Sequence, residues 1–328
     1  MSKGIALAKW NVMRDNRSVF GAKDASSIQL EIGYDAISIQ ERKDKKTGKI
    51  TKALGGGPKI ILDPIFYHQS KKGIRLPVGK SSLFTWTTKM SCPSFSLPAG
   101  PQAMGGTCPG SMPSDIKKDG SYEEFSPPLS EVANGHPFIC SICYAGKGNY
   151  MMYPSVSISQ VIHKLWVDMT LKDGTFVDSV VSAIESIQDP GVEKVLKMKA
   201  TSGKFFRIHD SGDFFSQKYY QSWCQICEAL PQIKFWAPTR VWVFEYWRDV
   251  FAENPPPENL ALRPSGLMLD MPPPDIDGLD AGTTSHIGKF GSGVKDCPAY
   301  MSKTRSCASA GCRTCWTEPN RPVNYWTH

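Results

Sequence analysis

Apolar and polar positions alternate with period two near the start of the chain and change to helical spacing after residue 153. Ser27–Ile32 and Ala36–Glu41 alternate as half-buried strands do, Lys45–Lys49 supplies a turn, and Pro58–Asp63 reads as a further strand. Residues 1–90 are therefore expected to be β-rich. Residues 91–153 carry Pro93, Pro98, Pro101, Pro109, Pro113, Pro127, Pro128 and Pro137, which break any long regular element. From Pro154 the spacing predicts helices over Pro154–Leu171 and Asp173–Gln188, the first with proline in its opening turn. A strand at Phe205–His209, a loop at Asp210–Asp213 and a helix at Ser216–Ala229 follow, then a strand at Ile233–Ala237, a helix at Val243–Ala252 and a strand at Leu260–Arg263. This alternation predicts parallel βαβ units. The expected fold is thus α/β, a partial (βα) barrel or parallel-sheet core spanning 154–270. It would sit between the β-rich start, the irregular 91–153 segment and a cysteine-rich 271–328 segment that opens with a Pro- and Gly-rich loop over 270–296.

Composition narrows the class. With 328 residues, 41% hydrophobic and 21% charged, the chain is that of an ordinary soluble protein with one large core or two smaller ones. No apolar run reaches the roughly 20 residues of a membrane helix, and Met1–Trp10 lacks the apolar stretch of a secretory leader. A cytoplasmic protein with no membrane partner is expected, in which ten cysteines are ligands or free thiols before they are disulfides. The net charge of +7 is thinly spread; the basic runs Arg42–Lys49 and Lys71–Arg75 read as solvated turns, so nucleic acid is a weakly supported partner.

Cysteine spacing carries the chemistry. Cys307, Cys312 and Cys315 form C-x4-C-x2-C, with Cys297 upstream. Thiolates are soft ligands that suit iron–sulfur clusters or zinc. Zinc favours two closely spaced pairs, which the gap from Cys297 to Cys307 fits less well. Cys108, Cys140 and Cys143 make a second set. Three thiolates would leave one iron of a four-iron cluster open, whereas Cys92 as a fourth would close it. Cys224 and Cys227 lie in an amphipathic helix and read as small buried hydrophobes.

A ligand pocket is expected beside the cysteines. Alternation puts Phe205, Arg207 and His209 on one face of their strand, and Arg263 and Ser265 recur at the end of a later one. Strand ends of parallel sheets collect binding residues, so Arg207 and Arg263 are candidates to grip an anion and His209 to transfer a proton, with Asp210 and Asp213 on the adjoining loop. An internal ion-pair network is the competing reading. Gly73–Ser81 mimics a phosphate loop but has five residues between its glycines and a proline among them, so nucleotide hydrolysis is not expected. Gly55–Gly57 reads as a flexible turn.

Pro93–Pro98, Thr107–Gly110, Cys143–Ala145, Arg207–Ser216 and Cys312–Trp316 together resemble the phage gene product 88 family, from about residue 85 to the C-terminus. The resemblance implies a phage origin and action in the cytoplasm of an infected bacterium. Here a long insertion separates Cys108 from Cys140, which a loop tolerates at little entropic cost. More loosely, Cys140–Tyr144 is similar to the end of the radical S-adenosylmethionine motif, although the gap to Cys108 departs from it and no Gly-Gly-Glu segment follows. That similarity implies a four-iron cluster and S-adenosylmethionine as cofactors. The expectation is one or two iron–sulfur clusters serving redox or radical chemistry on a small molecule. The alternatives are a non-catalytic redox carrier docking on a host protein and a zinc-stabilised nucleic-acid-binding module.

Overall fold

A computed structural model describes residues 29–69, 75–87, 89–90, 92–102, 106–111, 114–116, 122–124, 138–147, 149–188, 204–291 and 293–326. Ser27, Ile28, Lys71, Lys72, Gly73, Pro113, Pro127, Pro128 and Pro137, and the opening segment, lie outside the described residues.

The β-rich start is a three-stranded antiparallel sheet of β1 (Gln29–Lys43), β2 (Ile50–Gln69) and β3 (Arg75–Ser82), in that order. Asp44 Oδ1 accepts from Lys46 N and Thr47 N at 2.9 and 2.7 Å and Gly48 takes φ +68°, which closes the predicted turn. The two separate strands expected before that turn are one strand with a bulge between Asp35 and Ser38. Gly55–Gly57, expected as a turn, lies within β2 opposite the bulge. Gly56 and Gly57 take φ +88° and +93°, and a Cβ on Gly56 would stand 2.0 Å from Ala36 O, so glycine is what permits the bulge. Lys80 pairs with Ile61 inside the β2–β3 ladder, which removes the phosphate-loop mimic.

The central sheet has the order β10-β9-β8-β5-β4: β4 (Thr85–Trp86), β5 (Pro93–Phe95), β8 (Phe205–Ile208), β9 (Lys234–Thr239) and β10 (Leu260–Pro264). All are parallel except the β4 edge. β6 (Ser114–Ile116) and β7 (Tyr122–Glu124) pair as a separate two-stranded antiparallel sheet. The helices are α1 (Asn149–Met152), α2 (Pro154–Asp173), α3 (Phe176–Ser186), α4 (Gln217–Ala229) and α5 (Glu245–Glu253). Pro154 starts α2, Gly174 ends it at φ +82°, and Ser216 Oγ caps α4 by accepting from Tyr219 N. These are the sequence signals that made the helices readable. Among the described residues no helix is long and apolar enough to cross a membrane.

Strand alternation sorts the core into two layers. Phe206, Ile208, Phe235, Ala237, Leu260 and Leu262 face the helices, joining Trp166, Trp223 and Trp247. Cys224 and Cys227 are buried in this layer, as small hydrophobes. Phe205, Trp236 and Ala261 face the other way, against Cys92, Cys307, Cys315 and Trp316. That second face is covered by the C-terminal segment, which carries β11 (Thr283–His286), β12 (Lys295–Asp296), α6 (Thr314–Thr317) and β13 (Val323–Trp326). Its strands form a parallel sheet of order β11-β13-β12, so the expected 270–296 loop contains two strands. The fold is mixed α/β with several sheets. No barrel closes among the described residues: the open sheet is finished by a covering segment instead of by further βα units.

Candidate metal centre and carboxyl-edge site

Chain geometry at the carboxyl edge of the parallel sheet brings Cys108, Cys140 and Cys143 together. Beyond β5 the chain doubles back, with Thr107 N bonded to Pro98 O at 2.8 Å and Cys108 N to Gly100 O at 2.9 Å. Beyond β8, Leu97 N bonds to Ser211 O at 2.8 Å and Asp213 N to Thr107 O at 3.2 Å. Gly212 between them takes φ +92°, and a Cβ there would lie 2.5 Å from Thr107 Oγ1, so no larger residue fits this crossing. From the other side, Ile139 N bonds to Leu267 O at 2.8 Å, which anchors the Cys140–Cys143 turn to the end of β10. Burial pushes the Cys140 thiol up to about 11 against the pull of Arg240. It pushes Cys108 well above the ordinary thiol range, with Asp213, Cys140 and Cys143 adding negative charge beside it.

A polar group adjoins these thiols. Arg207 Nη1 pairs with Asp210 Oδ1 at 2.7 Å, and its Nη2 donates to the Tyr144 hydroxyl at 3.1 Å. The Tyr144 hydroxyl donates to Asp210 O, and the Tyr150 hydroxyl to Asp210 Oδ2. The Arg207 guanidinium lies 5.0 Å from the Trp236 ring centre. Both Arg207 Nε and Trp236 Nε1 are buried with no hydrogen-bond partner.

His209 does not share the face of Arg207. Its φ of +64° breaks the strand alternation and turns the ring into the helix layer, 4.6 Å from the Phe214 ring and with Nε2 3.2 Å from the Tyr219 hydroxyl. Burial, with Arg207 nearby, lowers its pKa to about 3, so it is neutral at physiological pH. Asp213 is a backbone clamp: it accepts from Phe214 N at 2.8 Å, Thr239 Oγ1 at 2.7 Å and Arg240 N at 2.8 Å. Burial outweighs those donors and pushes its pKa up to about 6.

Arg263, expected to grip an anion, is fully buried with all its donors committed to neutral carbonyls. Nε reaches Cys315 O at 3.1 Å, Nη1 reaches Ala281 O and Arg321 O at 2.8 and 2.9 Å, and Nη2 reaches Thr314 O and Glu318 O. The face it occupies is not a pocket, because the C-terminal segment fills it. Ser265 is likewise structural, its N bonded to Thr239 O and its Oγ accepting from Thr283 Oγ1.

The second thiol group is assembled by that segment. Cys297 N bonds to Asn324 O, Cys307 N to Lys89 O and Cys312 N to Cys307 O. Ser302, Ser306 and Ser309 lace the intervening loop with hydroxyl bonds, and Gly311 turns it at φ +58°. The Cys315 thiol lies 3.1 Å from the Tyr325 hydroxyl. Burial raises Cys307 to about 11 and Cys315 to about 12; Cys297 and Cys312 add negative charge beside Cys307, while Arg313 and Lys89 oppose the rise. Cys92 belongs on this side: it packs with Cys307 and Cys315 and feels the charge of Cys307, and none of Cys108, Cys140 or Cys143 is prominent near it. Cys92, a possible fourth ligand of the first group by sequence, thus packs in the cluster that holds Cys307 and Cys315.

Among the described residues no group of three or more His, Cys, Asp or Glu side chains is arranged to hold a metal ion. The donor set is nonetheless chemically uniform, three thiols at the carboxyl edge and four under the second face, within electrostatic reach of one another. Sequence reasoning missed Arg240, Tyr144, Tyr150 and Trp236. Arg240 directly follows β9 just as His209 follows β8, a positional signal that could have found it.

Comparison with known proteins agrees with the motif pattern. The family model described as "Gene product 88" matches residues 65–318. "Gene 88 protein" of Mycobacterium phage D29 is 36% identical over 104 residues, which is 32% of this chain and 40% of the relative. "Gene 88 protein" of Mycobacterium phage L5 is 35% identical over 104 residues, with the same coverage. The aligned part is therefore less than half of either relative's length. No solved structure matches. With both thiol groups and the whole central sheet inside the matched span, the chain belongs to the gene product 88 family of phage proteins.

Proposed function

We propose that this phage protein binds iron–sulfur clusters in the cytoplasm of an infected bacterium and performs redox or radical chemistry on a small molecule at the carboxyl edge of its sheet. Cys108, Cys140 and Cys143 would hold the first cluster and Cys297, Cys307, Cys312 and Cys315 the second. The observation that carries the reading is the gathering of each thiol set from distant segments, through Cys108 N–Gly100 O and Ile139 N–Leu267 O at the first and Cys297 N–Asn324 O and Cys307 N–Lys89 O at the second. A cluster held by three protein thiolates supplies, when bound, a one-electron centre with one iron free of protein ligands. Arg207 and Trp236 offer two buried donors for acceptor atoms on a ligand, and Tyr144 and Tyr150 hold Asp210 in place beside them. S-adenosylmethionine is the cofactor to test there.

A non-catalytic carrier that docks on a host protein is the second reading, favoured by the apolar rim around the first group: Tyr144, Met152 and Tyr153 are 53%, 65% and 54% exposed. Anaerobic purification followed by iron, sulfide and zinc analysis tests the shared claim. Iron with matching sulfide, and visible absorption that bleaches on reduction, is expected. A colourless protein containing zinc alone would refute it. Cleavage of S-adenosylmethionine by the reduced protein then separates enzyme from carrier.

A further inference from the structure

The antiparallel β1–β2 pair runs on past the rest of its sheet. Among the described side chains, Ile37 is the last of β1 to pack against the core, and β3 pairs with β2 only from Lys59 onward. Ser38–Lys43 and Ile50–Gly55 therefore pair with each other and with no third strand among the described residues. They make a two-stranded ribbon of six residue pairs, about 20 Å long at the usual rise per residue. The bulge opposite Gly55–Gly57 stands at its root, where a bulge bends a strand and raises its twist. Charge on this arm is one-sided: residues 41–52 hold six Lys or Arg against Glu41 and Asp44, a net +4 of the whole chain's +7. Acids answer the lysines at the root and not at the tip. Asp35 pairs with Lys59, and with Lys80 at 3.6 Å. Asp44 Oδ1 is taken up inside the turn by Lys46 N, Thr47 N and Thr47 Oγ1. Lys43, Lys45, Lys46 and Lys49 are exposed, and none forms an ion pair among the described residues. The whole ribbon lies before residue 65, where the match to the family begins.

We propose that this ribbon is an arm that enters the major groove of duplex DNA, with its tip lysines on the phosphates. Shape and charge select that partner together. Two strands about 5 Å apart, with their side chains, fill a groove about 12 Å wide, whereas the major groove of an RNA helix is too narrow for side chains to read. Lysines without an acidic partner release counterions when they meet phosphates, which is the main source of affinity for DNA. The hydrogen bonds to Asp44 fix the turn beforehand, so less ordering is left for binding to supply. The register also sets Ser38, Gln40 and Arg42 across from Gly55, Ala53 and Thr51. One face thus combines small residues with the amide, guanidinium and hydroxyl types that read base edges. Sequence alone shows only a solvated turn; its place at the end of a projecting ribbon is what assigns it a partner. No cysteine lies in the arm, so the inference is independent of the iron–sulfur reading.

The test is binding of the full chain to a fluorescent DNA duplex of about 30 base pairs, followed by anisotropy between about 50 and 200 mM salt. Wild type should bind with an affinity that falls steeply with salt. Lys45→Gln, Lys46→Gln and Lys49→Gln together should weaken binding at least about tenfold at the lower salt and flatten the log–log slope by about 2–3, since each phosphate contact contributes about 0.9. A control that loses the same charge from exposed lysines elsewhere, Lys172→Gln with Lys289→Gln and Lys303→Gln, should bind as wild type does. Surface exchanges of this kind leave the fold intact, which urea unfolding of each variant checks. Methyl green, which occupies the major groove, should displace the protein, and netropsin, a minor-groove ligand, should not. Absence of salt-dependent binding by wild type overturns the inference, as does an equal loss in the control or displacement by netropsin alone. Equal or tighter binding to duplex RNA, or to phosphatidylserine vesicles, with the same dependence on the three tip lysines overturns the assignment to DNA.

Discussion

Replacing Arg263 by leucine removes a fully buried guanidinium whose hydrogen bonds run to the carbonyls of Ala281, Thr314, Cys315, Glu318 and Arg321. Four of these carbonyls belong to the stretch from α6 to its following turn, so one side chain ties the C-terminal segment to β10. Thr314 O and Glu318 O keep the backbone donors Glu318 N and Arg321 N, whereas the carbonyls of Ala281, Cys315 and Arg321 are left without one, at about 1–3 kcal/mol each, or about 3–9 kcal/mol for the three. Removing a buried cation returns part of its desolvation cost, which works in the opposite direction. A net loss of about 3–5 kcal/mol is expected, a large fraction of the stability of a typical domain. Urea unfolding measures the total, and amide exchange locates it. Protection should fall over residues 281–321 while α4 and β8 keep theirs, and metal should leave the second thiol group while the first retains it. Arg263→Lys should recover part of the loss, because an ammonium has three donors to offer. A leucine variant with wild-type urea midpoint and unchanged exchange would refute the reasoning, and so would one that lost ligand binding alone.

His209 has its pKa depressed to about 3 in the folded protein, against an ordinary value of 6.5. Between these values the unfolded chain binds the extra proton, so the contribution of His209 to stability is present above pH 6.5 and is lost as pH falls toward 3, at up to about 1.4 kcal/mol per pH unit. Asp213, raised from 3.8 to about 6, acts with the opposite sign between those values and partly masks it. The stability difference between wild type and His209→Phe, from urea midpoints at pH 4 to 7, should therefore change with pH; a constant difference would exclude the effect. Cys224→Ala combined with Cys227→Ala should cost about 1–3 kcal/mol by cavity formation and leave metal content unchanged, and a fall in iron would show these thiols to be ligands.

Much of the core was legible because its signals are local. Pro154 and Ser216 mark helix starts, and the short apolar strands β8, β9 and β10 alternate cleanly between two buried faces. The Gly55–Gly57 bulge was not legible: it suspends alternation inside a continuous strand, which then reads as two. Strands β11 to β13 escaped because Thr283–His286 and Val323–Trp326 pair across some 40 residues and Thr283–His286 is too polar to announce burial. At the site, cysteine spacing marked both thiol groups, whereas Arg263 misled because its acceptors are backbone carbonyls up to 58 residues away. Nothing in a period-two pattern signals that His209 leaves the strand at positive φ.

The two thiol groups also obey one electrostatic rule. Burial drives Cys92, Cys140, Cys307 and Cys315 to about 11 or 12, so without a compensating charge each stays protonated at neutral pH. Every one of them nonetheless has a guanidinium among its charged neighbours: Arg240 for Cys140, Arg313 for Cys307, Arg263 for Cys315, and Arg207 with Arg313 for Cys92. A guanidinium beside a neutral thiol gains little from that neighbour; Arg207 is compensated instead by Asp210, and Arg263 by backbone carbonyls. Beside a thiolate bound to a soft metal, the same arrangement offsets charge with charge. In the proposed metal-loaded state the arginines would offset thiolate charge, a role that spacing alone, shared with zinc staples and with idle thiols, does not require. That state also predicts the sign of metal linkage: loading the thiols must release protons, so metal affinity should rise steeply with pH through the neutral range.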